Sequence, residues 1–95
     1  MVDMDRPDLY VVARILDRLW EMKDPMLRTH LQVASNVNYD ILTRYLDWMR
    51  GHDLVALEDG ADGHVRVGLT EQGREAYRKI TQWISEVVQG RMPRV

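Results

Sequence analysis

The sequence predicts a mainly α-helical domain that carries one small β-hairpin and ends in a long helix. Three observations predict it. Apolar residues recur at helical spacing through three successive segments of the first half. The pattern then changes to two short β-type runs flanking Asp/Gly turn elements, and near the C-terminus the helical spacing returns. The chain has 95 residues, 45% apolar and 29% charged, the size and balance of one packed unit over 1–95 and unlike a disordered segment.

Over residues 8–22, Leu9, Val12, Ala13, Leu16, Leu19 and Trp20 form one stripe, with Asp8 after Pro7 as N-cap. Asp24-Pro25 stops this helix and is expected to open a second, Asp24 capping and Pro25 at the first helical position. Met26, Leu27, Leu31 and Ala34 give the second helix its apolar face, and Ser35-Asn36 closes it. Asn38 caps a third helix over 38–50, with Ile41, Leu42, Tyr45, Leu46 and Met49 inward. Tyr39, Asp40, Thr43, Arg44, Asp47 and Arg50 face outward, and Gly51 is the expected C-terminal glycine.

Leu54-Val55-Ala56-Leu57 and His64-Val65-Arg66-Val67 are the expected strands, joined by a turn from Glu58 to Gly63. Thr70 then caps a last helix over 70–89, with Glu71 and Glu75 near its positive end and Gly73 a mild cost in its first turn. Its apolar stripe is Ala76, Tyr77, Ile80, Trp83, Ile84, Val87 and Val88. Residues 90–95 are expected to be a tail.

Composition excludes several functions. Without cysteine there is no disulfide framework and no zinc-cysteine or thiolate chemistry. No apolar run approaches the ~18 residues of a membrane span, so no membrane partner and a cytoplasmic location are expected. His30, His52 and His64 fall on different elements without ligand spacing, and no glycine loop suited to phosphates is present. No Ser-His-Asp arrangement or carboxylate pair stands out, so neither catalysis nor a metal or cofactor is expected. The net charge of −2 names no partner by itself. Arginine supplies most of the basic residues, which suits planar, bidentate contacts to phosphate or carboxylate. The stretch 52–68 is acidic, and the segments around the second and third helices and after residue 68 are basic on balance.

A helix, a short helix, a tight turn, a helix and a hairpin make the winged helix-turn-helix plan, whose third helix enters the DNA major groove. Arg28-Thr29, Ala34, Asn36-Val37-Asn38-Tyr39, Leu42, Tyr45-Leu46, Leu54-Val55 and Leu69-Thr70-Glu71-Gln72-Gly73 stand in the order and spacing of one group. From about Leu9 to Val88 the chain resembles the small archaeal winged-helix DNA-binding proteins, the group that includes a ten-kilodalton chromatin-associated protein. That resemblance implies double-stranded DNA as partner and a homodimer joined through the C-terminal helices. It also implies DNA contacts from Arg28 and Thr29, followed by Asn38, Tyr39, Thr43 and Arg44. The chain departs from the group in two places. Asp53 stands where a glycine usually precedes the apolar pair that opens the wing, and the wing tip carries Glu58, Asp59 and Asp62 with no cation before Arg66.

Physical chemistry gives these positions alternatives. Arg28, Arg44 and Arg50 are the reading face's cations, Arg66 is the wing's, and Asp40 and Asp47 oppose the first three. Asp47 can instead pair with Arg44 or Arg50, at only ~0.2–0.5 kcal/mol. Arg44 can contact guanine or remain solvated, and Asn38 can contact adenine or serve only as a cap. Tyr39 can stack near sugar-phosphate or act as a staple on the second helix. Tyr45 belongs to the core, its hydroxyl reaching a rim partner. Trp20, Trp48 and Trp83 are core or interface residues. The C-terminal stripe, in particular Tyr77, Ile80, Trp83, Ile84, Val87 and Val88, can pack on the first helix, form a dimer seam, or do both. Two functions compete on this basis. One is a homodimeric DNA-binding regulator or chromatin-type protein reading with residues 38–50; the other is a protein-interaction module whose acidic wing binds a basic partner.

Overall fold

The computed structural model describes residues 6–88. Its elements run α1 (Leu9–Glu21), β1 (Met26–Leu27), α2 (Arg28–Ser35), α3 (Tyr39–Gly51), β2 (Val55–Asp59), β3 (Val65–Leu69) and α4 (Glu71–Val88). Four helices thus surround one small antiparallel sheet of order β1-β3-β2.

The polar caps read from sequence are in place. Asp8 accepts a hydrogen bond from the Tyr10 N–H at 2.9 Å and starts α1. Asn38 accepts from the Ile41 N–H at 2.8 Å and starts α3. The Thr70 hydroxyl accepts from the Gly73 N–H at 3.0 Å and donates to the Asp53 carbonyl, tying the start of α4 to the opening of the wing. The core is the convergence of Ile15 and Leu16 of α1, Leu31 of α2, Leu42, Leu46 and Met49 of α3, and Val55 and Val67 of the sheet. Tyr45 lies in this core, and its hydroxyl reaches the rim to accept from the Asp8 N–H at 2.9 Å.

The second helix does not open at Asp24-Pro25. Met26 and Leu27 are extended and pair with β3, Met26 opposite Val67 and Leu27 opposite Arg66, so α2 begins only at Arg28. Both residues have good helix propensity, and two residues are too few to show alternation. Pairing with β3 overrides the local preference. Pro25, which has no N–H for a ladder, sits just outside the strand and packs against Gly68. The expected hairpin is therefore a three-stranded sheet.

Two turn assignments also move. Gly51 is the last residue of α3, and the left-handed backbone falls at Asp53 (φ 61°), after the chain has closed through His52. The wing turn is shorter than expected. Glu58 and Asp59 belong to β2, opposite Arg66 and Val65. The reversal spans Gly60 to His64, closed by the Gly60 N–H to His64 carbonyl bond at 2.8 Å with Gly63 at φ 82°. Gly73 has a packing role: a Cβ there would overlap the Leu54 carbonyl oxygen, so the first turn of α4 lies directly on the wing strand's entrance.

Helix α4 folds back on α1. Tyr77 stacks on Trp20 with ring centroids 4.8 Å apart and donates its hydroxyl hydrogen to Asp17 at 2.5 Å. Among the described residues no helix is long and apolar enough to cross a membrane. Gln89 and the expected tail 90–95 lie outside the described residues.

Candidate nucleic-acid interface

The outward face of α3 begins from its burial pattern. Leu42, Tyr45, Leu46 and Met49 are buried, which at 3.6 residues per turn leaves Asp40, Arg44, Asp47 and Arg50 outward, all exposed. Thr43 is half-buried, its hydroxyl donating to the Tyr39 carbonyl at 2.9 Å. Arg44 makes no ion pair among the described residues. Arg50 is paired with Asp47 at 3.5 Å, and it sits about 16 Å along the axis from Tyr39 at 1.5 Å per residue.

The tight turn before α3 is held from behind. Asn36 takes the left-handed conformation (φ 57°) that ends α2. Arg14 and Arg18 of α1 donate to the last carbonyls of α2, Ser35 at 3.0 Å and Ala34 at 2.8 Å. Two cations thus satisfy orphan acceptors at the negative end of that helix and tie it to α1. Sequence patterning assigned these arginines no role, because their partners are backbone atoms about 20 positions away.

Arg28, at the first position of α2, lies with its guanidinium 5.4 Å from the Tyr39 ring centroid. This cation–π contact orients the guanidinium while leaving its N–H edges unpaired by any carboxylate among the described residues. Tyr39 is 43% exposed, so its ring serves as a platform for Arg28 at the mouth of the turn. Asn38 is exposed and is occupied as a cap. Thr29 is exposed beside Arg28.

The pairing of Leu27 with Arg66 brings the wing turn to the same place. A cleft of about 120 Å³ is lined by Leu27, Arg28, Thr29, Tyr39, Gly63, His64 and Val65. His64 is thus gathered with three of the expected contact residues, which spacing could not reveal because β1 was unrecognised. Arg66, by contrast, is turned to its own loop. It donates to both carboxylate oxygens of Asp62, at 3.2 and 3.0 Å, and lies opposite Glu58. The Arg66 hydrogen bond, helped by the His64 N–H, holds the Asp62 carboxyl well below the usual carboxylate range, and Asp62 in turn raises Arg66. The wing's one arginine is neutralised locally, while Glu58 and Asp59 remain exposed.

The C-terminal stripe divides. Tyr77 and Ile80 are packed within the chain, whereas Trp83 is 62% exposed and Val87 40%. Ile84 is half-buried, and nothing is described of the Val88 side chain. Leu9, expected in the first helix's inner stripe, is exposed instead. With Tyr10, Ile80, Trp83 and Ile84 it lines an apolar groove of about 590 Å³ edged by Lys79.

The winged helix-turn-helix family matches residues 6–87. The chain belongs to the winged helix-turn-helix family. No curated protein matches it by sequence. Among solved structures, a winged-helix DNA-binding protein from STIV superposes with a TM-score of 0.78 at 17% identity, over 87% of this chain and 96% of its own. A MarR-family transcriptional regulator from Silicibacter pomeroyi matches with a TM-score of 0.71 at 29% identity, over 76% of this chain and 49% of its own. A transcriptional regulator from M. tuberculosis, determined in complex with DNA, gives 0.71 at 29% identity, over 85% of this chain and 58% of its own. The chain therefore spans between half and three-fifths of the length of these two regulators. Its fold is that of winged-helix DNA-binding transcription regulators.

Proposed function

We propose that the chain is a homodimeric, non-catalytic DNA-binding protein, a transcription regulator or a chromatin-type protein of the cytoplasm. It reads the major groove with the outward face of α3. The observation that carries this reading is a helix anchored by Leu42, Leu46 and Met49 whose Arg44 stands exposed and, among the described residues, without an ion pair. Arg44 is the base-reading cation, and Thr43 flanks it. Arg28 and Thr29, at the start of α2, contact backbone phosphates and fix the register. Asn38 and Tyr39 act mainly by positioning, one as cap and the other as platform for Arg28. Arg50 and Arg66, each paired with an aspartate, add little.

The dimer forms through α4. Trp83 and Val87 project from its outer side, and Trp83 lines an exposed apolar groove with Leu9 and Tyr10, the kind of surface that marks an association site. Two copies joined there carry two reading helices, doubling the phosphate contacts of a chain with few free cations.

The direct test is fluorescence anisotropy of a labelled mixed-sequence duplex at low salt. Binding at micromolar protein, weakened by R28A and R44A together, is expected. The affinity should fall with salt with a slope of about −0.9 per phosphate contacted. No binding, or binding unchanged in the double variant, would overturn the reading. The exposed Glu58 and Asp59 favour the second reading, a basic protein partner at the wing. Capture of a basic protein that is lost in E58Q/D59N, with DNA binding absent, would establish it instead.

A further inference from the structure

The cleft between the start of α2, the start of α3 and the wing turn carries a residue that the DNA-binding reading has not used. Arg28 approaches it from α2 and Tyr39 from α3, while Thr29 and His64 stand exposed at its edges. Gly63, at φ 82°, lines it without a side chain, and nothing lies within 4 Å of where a Cβ would be. The lining holds an arginine, a histidine and the hydroxyls of Thr29 and Tyr39, and no carboxylate among the described residues. Its cavity, about 120 Å³, is of a size for one phosphate group.

We propose that this cleft seats one phosphate of the DNA backbone, gripped by Arg28 and Thr29, and that His64 adds a second cation there when protonated, making DNA affinity rise as pH falls. The proposal rests on the DNA-binding reading and deepens it. With Arg66 tied to Asp62, His64 is the wing's one basic group that faces this cleft. The groups around His64 set its response. The guanidinium of Arg28 shares the cleft from α2. Asp62 on its own turn is a carboxylate already engaged by Arg66 and by the His64 N–H. Tyr39 faces the cleft from α3, and Asp59 of β2, opposite Val65, is an exposed carboxylate one position along. A phosphate seated in the cleft would favour the imidazolium by its negative charge. Histidine is the side chain whose ordinary titration spans pH 5 to 8, so the effect falls in an accessible window.

The test is anisotropy of a labelled duplex at about pH 6 and about pH 8, at one ionic strength, with wild type, H64Q, R28A, H30Q and H52Q. Wild type is expected to bind roughly fivefold more tightly at the lower pH, the scale of one exposed ion pair. H64Q should lose this dependence while keeping its affinity at the higher pH, and H30Q and H52Q should retain it. R28A should bind more weakly at both. Equal wild-type affinity at the two pH values, or a dependence that survives in H64Q, would overturn the proposal while leaving DNA binding intact. Absence of DNA binding at either pH would overturn the functional reading itself, and this proposal with it. In a second arm, duplex should shift the His64 ring resonances and the same concentration of inorganic phosphate should not. Equal shifts from both would make the cleft a general anion site and overturn its assignment to the DNA backbone.

Discussion

Replacing Gly73 with alanine separates what helix propensity predicts from what the packing of α4 requires. In an exposed helix, Gly→Ala stabilises by up to about 1 kcal/mol, because alanine loses less backbone entropy on folding. At Gly73 the added methyl meets the Leu54 carbonyl oxygen and lies 3.0 Å from a Leu69 methyl. The obstruction is backbone, and that carbonyl already accepts from the Thr70 N–H at 3.2 Å. It cannot swing aside as a side chain would, so α4 must move off the wing strand. Overpacking of this kind costs about 1–3 kcal/mol. Set against the propensity gain, the expected net loss is up to about 2 kcal/mol, or up to roughly 15 °C in melting temperature for a domain of this length. Thermal unfolding followed by far-ultraviolet circular dichroism measures it. Gly51 supplies the internal control: it lies at the end of α3, and nothing is within 4 Å of its Cβ position. G51A should therefore melt at or above the wild-type temperature. A G73A variant that melts higher, as G51A should, would refute the close approach of α4 to Leu54.

Three further outcomes are expected. Ser35 is fully buried, and its hydroxyl has no hydrogen-bond partner among the described residues, so S35A should leave stability unchanged or raise it by up to about 1 kcal/mol; urea denaturation midpoints check this, and a loss of 2 kcal/mol or so would reveal a missed partner. The Tyr77 phenol, held by its hydrogen bond to Asp17 and by partial burial, is pushed up to about 12. Its contribution to stability is therefore complete below the ordinary tyrosine value and lost as pH rises through the folded one, and a spectrophotometric titration should show one late phenolate that Y77F removes. Trp83 is largely exposed, so W83E should leave the fold intact and shift the sedimentation mass from dimer to monomer; an unchanged dimer would place the seam elsewhere.

Three of the helices, α1, α3 and α4, were legible because each combines a periodic apolar stripe with a polar cap, whereas α2 starts after Leu27 without one. Asp8, Asn38 and Thr70 all make the capping bonds their positions imply. What escaped the sequence depends on pairing between distant segments. Met26 and Leu27 become a strand only because β3 lies beside them, and nothing local distinguishes them from the first turn of a helix. That one omission hid the cleft, since it is β1 that carries the wing turn to Arg28. The engagement of Arg66 with Asp62 was likewise invisible until Glu58 and Asp59 were seen to belong to β2, which tightens the turn and turns the two side chains together. The outward set of α3 could be read in advance, because buried and exposed positions on one helix fix each other. The division of the α4 stripe could not. Tyr77 and Trp83 have the same periodic claim to the core, and only the placement of Trp20 and Asp17 on α1 decides that Tyr77 turns inward. Asp53 shows a compromise: it holds the left-handed backbone that glycine would take more freely, and its carbonyl accepts the Thr70 hydroxyl that starts α4.

The central claim is that DNA lies on the outward face of α3 and the start of α2. Amide and side-chain resonances of the isotope-labelled protein, followed as unlabelled duplex is added at low salt, test it most directly. Shifts concentrated at Arg28, Thr29, Tyr39, Thr43 and Arg44 are expected, with Glu58, Asp59 and the outer side of α4 unmoved. Shifts confined to the acidic wing strand or to α4, or none at all, would contradict it.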